Sequence, residues 1–152
     1  MSTITPNLWF DHNAQEAVDF YVSVFPNSTI NATEYYPKSK EEGLADFQLD
    51  LAGQPLVINF ELNGNPFSAL NADHTFTFTE ATSFIVTCKD QEEIDYYWDK
   101  LSSVPEAEQC GWCKDRYGLS WQIVPENLGE LMRRPGAYSH LMQMHKLVIA
   151  EF

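Results

Sequence analysis

The chain has 152 residues, a formal charge of −13 at pH 7 and a sequence pI near 4.5. This balance argues against nucleic acid and anionic membrane surfaces as partners, because both attract clustered Lys and Arg side chains. There is no apolar run long enough to span a membrane, no signal-peptide pattern, and an odd number of cysteines, three, so we expect a cytoplasmic protein with free thiols.

The first predicted elements are a strand and a helix. Apolar residues alternate over 6–10, which is the two-residue period of a half-buried strand. Over 14–25 they recur at helical spacing along one stripe. Asn13 followed by Glu16 forms a capping-box pattern, which predicts that the helix begins there.

Three further strands are predicted before the middle of the chain. Residues 28–36 are rich in Thr, Ile and Tyr, and residues 45–51 and 56–62 alternate apolar with polar side chains. Residues 1–62 therefore form a first βαβββ module. The stretch 63–80 contains turn formers and several phenylalanines, and we interpret it as a linker.

The second half of the sequence repeats the first. The segment QEAVDFY at 15–21 returns 76 residues later as QEEIDYY at 91–97, with four of seven positions identical. Asp90 followed by Glu93 repeats the capping-box pattern. Because the repeat is long relative to the chain, it indicates two packed copies rather than a solenoid.

This second module is predicted over 81–125 and is shortened after its helix. There is room for one or two short strands near 108–114 and for a final strand at 119–124. The region 126–152 is predicted to form C-terminal helices, at 128–134 and 138–149.

Tandem βαβββ modules resemble the vicinal oxygen chelate superfamily, the fold of glyoxalase I, extradiol dioxygenases and bleomycin- or fosfomycin-resistance proteins. Within it, the sequence is similar to the PhnB-like branch, also labelled 3-demethylubiquinone-9 3-methyltransferase-like. The matching motifs are ITPNLWF at 4–10, AVDFY at 17–21, WDKL at 98–101, CGWCKDRYGLSWQIVP at 110–125 and MHKL at 144–147. The resemblance implies a single α+β domain, 1–152, whose curved sheets surround a barrel-like cavity.

Metal-using members of the superfamily place ligands, mostly His and Glu, on the first and last strand of each module. Glu61 is the one good ligand among the residues expected to face the cavity, whereas a catalytic site usually needs about three. The position that resembles the family's last-strand Glu is Gln122. His12, near Asp11, is the best candidate for another ligand. The alternative for His12 is a surface or capping role. We therefore predict no metal and no cofactor.

The other cavity-facing residues are typical of a small-molecule site, which combines apolar walls with a few polar groups. The predicted ligand-binding residues are Asn7, Trp9, Asn59, Glu61, Ser83, Trp112 and Gln122. The alternative is that these polar groups satisfy one another, or water, inside a filled barrel.

Three functional hypotheses follow. The leading one is a metal-independent, homodimeric protein that sequesters or senses an apolar or aromatic metabolite. The second is a divalent-metal-dependent lyase, isomerase or dioxygenase, in which Glu61 would be a ligand or base and His12 or a residue of a partner chain a further ligand. The third is a structural dimer whose C-terminal helix docks a protein partner.

The residues argue against two further functions, a redox dithiol and a methyltransferase. Cys110 and Cys113 match the redox Cys-x-x-Cys motif, but a hairpin turn follows them instead of a helix, so we expect buried or edge thiols. Asp115 in that turn is expected to fix it by an Asx-type bond. A methyltransferase of the doubly wound type needs a glycine-rich loop after its first strand, and the 7 glycines do not form that pattern.

Overall fold

Two units divide the chain, Met1–Thr77 and Phe78–Phe152, and the computed structural model describes all residues of both, 1–152. Each unit combines a β-sheet with α-helices, which confirms the predicted α+β class. The sheets have four and three strands and share no hydrogen-bonded strand pair, so the strands do not form a closed barrel. None of the helices has both the length and the apolar character that crossing a membrane requires.

The first unit contains four strands and one α-helix. They are β1 (Asn7–Asp11), α1 (Ala14–Val24), β2 (Thr29–Tyr35), β3 (Pro55–Leu62) and β4 (Asn65–Ala72), with 3₁₀ segments at Lys40–Glu42 and Asp46–Leu51. The strand order is β1-β4-β3-β2. β1 runs parallel to β4, and the other neighbours are antiparallel.

One face of this sheet packs on α1, because strand alternation places its apolar residues on a single side. The buried side chains of this core include Leu8, Phe10, Ile58, Phe60, Ala69, Ala17, Val18 and Tyr21. Each fully buried large side chain contributes roughly 1.5–3 kcal/mol to stability. The opposite face of the sheet has no helix on it, and Asn7 and Asn59 are exposed there.

The strand predicted at 45–51 is wrong, because Asp46–Leu51 is a 3₁₀ segment. Phe47 and Leu49, whose alternation suggested a strand, are 76% and 50% exposed. Only Leu51 is buried, in a small cluster with Tyr36 and Leu44. The Gln48 side chain accepts a hydrogen bond from the Ala45 amide at 3.3 Å, which satisfies a donor at the start of the segment.

The stretch interpreted as a linker, 63–80, contains β4, the last strand of the first unit. Asn63 and Gly64 form the two-residue turn that joins β3 to β4, and Leu62 pairs with Asn65 across it. Their φ angles are 50° and 80°, and a tight hairpin with the twist of its strands needs positive φ at both positions.

The two capping predictions have different outcomes. The first helix begins at Ala14, directly after Asn13 as the pattern predicts, but Asn13 makes no side-chain capping bond, so that part of the prediction is wrong. Instead, Asn71 of β4, 2% exposed, accepts a hydrogen bond from the Ala14 amide at 3.1 Å. The prediction at Asp90 is confirmed, since its side chain accepts from the Glu93 amide at 3.0 Å.

The second unit has three strands, one fewer than the first. It contains β5 (Ser83–Cys88), α2 (Gln91–Leu101), β6 (Trp112–Lys114), β7 (Ser120–Pro125), α3 (Leu128–Leu131) and α4 (Ala137–Gln143), with 3₁₀ segments at Pro105–Ala107 and Ile149–Glu151. The strand order is β5-β7-β6, with β5 parallel to β7. A second short strand is replaced by a single bridge between Gln109 and Trp112.

The helix predicted at 138–149 ends at Gln143, because the chain becomes extended at Met144. The backbone carbonyls just after the end of α4 accept hydrogen bonds from the turn before β6. Met144 O accepts from the Cys110 amide and His145 O from the Gly111 amide, both at 2.8 Å. Leu147, fully buried, has its carbonyl bonded to the Gln91 side chain at 3.0 Å.

Candidate ligand-binding site

A cavity of about 200 Å³ opens in the first unit. Its walls come from β1, β3, β4 and the 3₁₀ segment Asp46–Leu51, with two further residues, Tyr36 just after β2 and Asp73 just after β4. The lining residues are Trp9, Tyr36, Phe47, Gln48, Leu51, Leu56, Leu70, Ala72 and Asp73. This composition, mainly apolar and aromatic with few polar groups, is typical of a small-molecule pocket.

Trp9 forms a fixed wall of this cavity. Its indole Nε1 donates a hydrogen bond to the Asp73 carbonyl at 2.8 Å. The Phe76 ring meets it edge-on, with centroids 4.8 Å apart and an interplanar angle of 77°. Because both contacts restrain the indole, the wall is formed before any ligand arrives.

The polar groups around the cavity are the neutral amide of Gln48, the phenol of Tyr36 and the carboxylate of Asp73. Tyr36 donates its hydroxyl to the Asn71 carbonyl. Burial raises the Tyr36 pKa, and the charges of Asp73 and Asp50 raise it further. Hydrogen bonds from Thr75 lower the pKa of Asp73, including one from the Thr75 amide at 2.9 Å. At neutral pH the cavity therefore presents a negative group and no lysine or arginine.

His12 lies between two carboxylates in the same unit. Its Nδ1 is 2.6 Å from Asp11 Oδ1, and its Nε2 is 2.6 Å from Asp50 Oδ2. Both contacts are hydrogen bonds only when both nitrogens carry a proton. The bond to Asp11, followed by that to Asp50, raises the His12 pKa against an opposing effect of burial. Since Asp50 belongs to the segment Asp46–Leu51, His12 ties this wall of the cavity to β1.

Of the four predicted site residues in the first unit, only Trp9 lines the cavity. Asn7 donates to the Ser68 hydroxyl at 3.1 Å. Asn59, exposed, is the other strand partner of Ser68. Glu61 is half-buried and accepts from the Asn31 side chain at 3.2 Å.

The three predicted residues of the second unit lie together on one face of its sheet. Gln122 donates its side-chain amide to the Ser83 hydroxyl at 2.9 Å. Trp112 is the strand partner of Gln122 on β6, and Ile85 is its partner on β5. Ile85 is 61% exposed, so this face is open to solvent in the single chain.

The register corrects the assignment of possible metal-ligand positions. Trp9 pairs with Leu70, and Ile85, which lies 76 residues after Trp9, pairs with Gln122. Leu70, rather than Glu61, is therefore the first-unit counterpart of Gln122. A leucine side chain offers no ligand atom, and the structure contains no group of three or more His, Cys, Asp or Glu placed to hold a metal. The residues do not fit a metal centre of that type.

All three cysteines are free, as predicted. Burial raises the pKa of Cys88 and of Cys113 to about 12. Cys110 lies in a turn with φ of 52°, and Cys113 follows on β6, so neither begins a helix. The features that activate a redox thiol are absent from this motif.

The prediction for Asp115 is confirmed. Its Oδ1 accepts from the amides of Tyr117 and Leu119, at 2.8 and 3.1 Å. This closes the turn between β6 and β7.

Sequence reasoning missed most of the cavity lining, including Tyr36, Phe47, Leu70 and Asp73. The available signal was Asn63-Gly64, since this dipeptide between alternating apolar residues is a strong indication of a hairpin. Recognising it would have placed Leu70 on a strand beside Trp9.

The fold is that of the vicinal oxygen chelate superfamily. The PhnB protein of Bacillus cereus is 35% identical, with 82% of this chain and 99% of that chain covered and a TM-score of 0.64. Two structures share the fold at lower identity. Protein PA1353 of Pseudomonas aeruginosa is 16% identical over 83% of this chain and 98% of its own, with a TM-score of 0.60. The fosfomycin resistance protein FosX of Listeria monocytogenes is 14% identical over 88% and 98%, with a TM-score of 0.55.

Residues 2–124 match the family model described as 3-demethylubiquinone-9 3-methyltransferase. The chain belongs to this family, the PhnB-like branch of the superfamily. Among curated proteins, no relative matches it.

Proposed function

We propose that the protein binds an apolar or aromatic small molecule without using a metal, and that it sequesters or senses that molecule. The observation that supports this function is the cavity of about 200 Å³ with Trp9 as its restrained wall. An apolar cavity of roughly 150 Å³ is sufficient to hold benzene. The cavity here therefore suits a ligand of one or two rings.

Binding is favoured over catalysis by the groups available. The cavity contains apolar surface, the neutral amide of Gln48, one neutral phenol and one carboxylate whose pKa is lowered. A general base works best with a pKa near the operating pH, and a lowered carboxylate is a weak base. The glycine pattern of a doubly wound methyltransferase is missing as well.

The test is a binding screen of small aromatic compounds by two-dimensional amide NMR, with a chelator present throughout. Phe47→Ala removes a cavity wall, whereas Leu49→Ala removes an exposed apolar side chain from the same 3₁₀ segment outside the lining. We expect shifts around Trp9 and Leu70, and weaker binding for Phe47→Ala alone. Binding that requires added divalent metal, or that neither variant changes, would overturn the proposal.

We propose in addition that the face formed by Ser83, Trp112 and Gln122 contacts ligand, because it is open and polar beside an indole. Gln122→Ala should then weaken binding of a compound found in the screen, while Gln109→Ala, an exposed glutamine in the same unit, should not. Asn7, Asn59 and Glu61 stay predictions of the same kind for the first unit.

A homodimer in the cytoplasm is the proposed working form. The exposed Ile85 on an uncovered sheet face supports pairing of two copies, and three free thiols support a reducing compartment. Native mass spectrometry would show twice the chain mass of 17.4 kDa, and a monomer at micromolar concentration would contradict the dimer.

A further inference from the structure

We infer that the ligand of this cavity is an organic cation, an aromatic ring bearing an ammonium or similar charged nitrogen. The inference rests on the proposed binding function and adds the charge of the ligand to it.

Three aromatic side chains line the cavity, Trp9, Tyr36 and Phe47. Their ring faces carry partial negative charge and attract cations, with tryptophan the most effective. Trp9 is held by the Asp73 carbonyl and by Phe76, so its position does not have to be fixed by the ligand. Aromatic walls of this kind bind charged and neutral rings alike, and the choice between them depends on the nearby charges.

Most of those nearby charges are negative, although His74 and His12 lie close enough to lower the pKa of Asp73. Asp73 lines the cavity, and Asp50 belongs to its 3₁₀ wall. Burial raises the pKa of the Tyr36 phenol, and the charges of Asp73 and Asp50 raise it further, which is consistent with both carboxylates lying near the cavity. His12 offsets part of this charge when protonated, but it lies between Asp11 and Asp50, so the cluster stays negative.

No positive side chain lines the cavity to pair with an anionic ligand. None of its lining residues is lysine, arginine or histidine. An anion in the cavity would be repelled by the carboxylate of Asp73 and would have no lysine or arginine of the lining to pair with. The formal charge of −13 on the whole chain also attracts cations to its surface at low ionic strength.

The test uses probes of nearly equal shape and different charge. Benzyltrimethylammonium is the cation, neopentylbenzene is its neutral counterpart with carbon in place of nitrogen, and phenylmethanesulfonate, which keeps the CH2 group between ring and head group, is the anion. Amide NMR titrations on the full chain give each dissociation constant and locate the site by shifts at Trp9 and Leu70. We expect the cation to bind roughly fivefold or more tightly than the neutral compound, the usual range of cation–aromatic attraction.

A second measurement removes the carboxylate. Asp73→Asn keeps an oxygen for the Thr75 amide and loses the charge, whereas Glu41→Gln loses one exposed charge away from the cavity. The cation should bind up to about fivefold more weakly to Asp73→Asn, because solvent screens part of the attraction, and its binding to Glu41→Gln should be nearly unchanged. The neutral compound should bind equally to all three proteins.

The two proposals fail differently. If the neutral compound or the anion binds at this cavity as tightly as the cation, or if Asp73→Asn has no effect, the charge assignment is overturned and the binding function stands. If none of the three probes shifts Trp9 or Leu70, both proposals are overturned.

Discussion

The carboxylate of Asp115 and the indole of Trp121 are joined by a hydrogen bond of 2.9 Å in the interior of the second unit. Asp115 is 1% exposed, and it also accepts from the amides of Tyr117 and Leu119. One side chain therefore fixes the turn between β6 and β7 and the orientation of a core aromatic ring. A buried carboxylate is tolerated here because each of its oxygens has a donor.

Replacing Asp115 with alanine leaves three donors without their acceptor. We expect a loss of roughly 3 kcal/mol or more in the free energy of unfolding, because each unsatisfied buried donor costs about 1–3 kcal/mol. Urea denaturation followed by circular dichroism measures it. Glu106→Ala, an exposed acid in the same unit, is the control and should change stability by less than about 0.5 kcal/mol. Equal stability of the two variants would refute this role.

Gly111 and Gly118 provide a matched pair, since both have φ of 88°. A Cβ at Gly111 would lie 3.0 Å from the Leu147 side chain and 3.2 Å from the Ile123 carbonyl, whereas nothing lies within 4 Å at Gly118. Alanine at either position strains the backbone. Gly111→Ala should lower the free energy of unfolding by roughly 1–3 kcal/mol more than Gly118→Ala, because overpacking usually costs that much. Thermal and urea unfolding of both variants would detect the difference, and matching values would contradict it.

Asn71, and not Asn13, stabilises the start of α1. Asn71 accepts from the Ala14 amide and donates to the Pro55 carbonyl at 3.0 Å. Asn71→Ala should therefore cost roughly 2 kcal/mol, the loss of a buried cap and of a second hydrogen bond. Asn13→Ala should cost much less, because its side chain caps nothing. Hydrogen exchange at the amides of the first turn would show which variant frays the helix.

The Asp11–His12–Asp50 arrangement makes stability depend on pH. The His12 pKa in the folded chain lies above 6.5, so the stabilisation is complete below about pH 6.5 and is lost as pH rises through the folded value. Asp73 is a further negative group that acts on this histidine. Asp50→Asn should lower the His12 pKa measured by NMR, whereas Asp46→Asn on the same segment should leave it nearly unchanged. A pKa at or below 6.5 in the unmodified protein would refute the arrangement.

The three thiols should differ in their reactivity toward a thiol reagent, because they differ in burial. Cys110 is half-exposed, whereas Cys88 and Cys113 are buried with pKa values of about 12. A thiol reagent at pH 8 should therefore modify one thiol per native chain and three after denaturation. Cys110→Ser should abolish the native reaction. Rapid modification of all three would show that the second unit opens readily.

The sequence was sufficient for the parts of the fold that depend on local pattern. The repeat at 15–21 and 91–97 located both long helices, and the alternation around Leu8 located β1. It failed at Phe47 and Leu49, where an apolar alternation occurs in an exposed 3₁₀ segment, because periodicity does not report which residues find a partner. It also failed at Asn71, a cap supplied from 57 residues away, since capping patterns describe only neighbours along the chain.

The candidate site was harder to predict for a related reason. Trp9 was identified because it lies on a strand with clear alternation. Its strand partner Leu70 is missing from the predicted set, because the linker predicted from the sequence starts at Asn63-Gly64 and the last strand of the module is therefore assigned to the segment that contains Glu61. The cavity forms where two distant segments meet, so one missed turn removed most of its wall from the predicted set.

The contacts of residues 144–147 also bear on the order in which the two units can form during synthesis. The first unit is complete at Thr77, and its sheet pairs only residues before that point. The second unit brings its last residues back to the turn at Cys110 and to the first residue of α2, Gln91. Domains generally fold as units in the order of synthesis. The cavity-bearing unit therefore has all its strand partners once residues 1–77 have been synthesised, whereas the second unit lacks these contacts until Leu147 has been added.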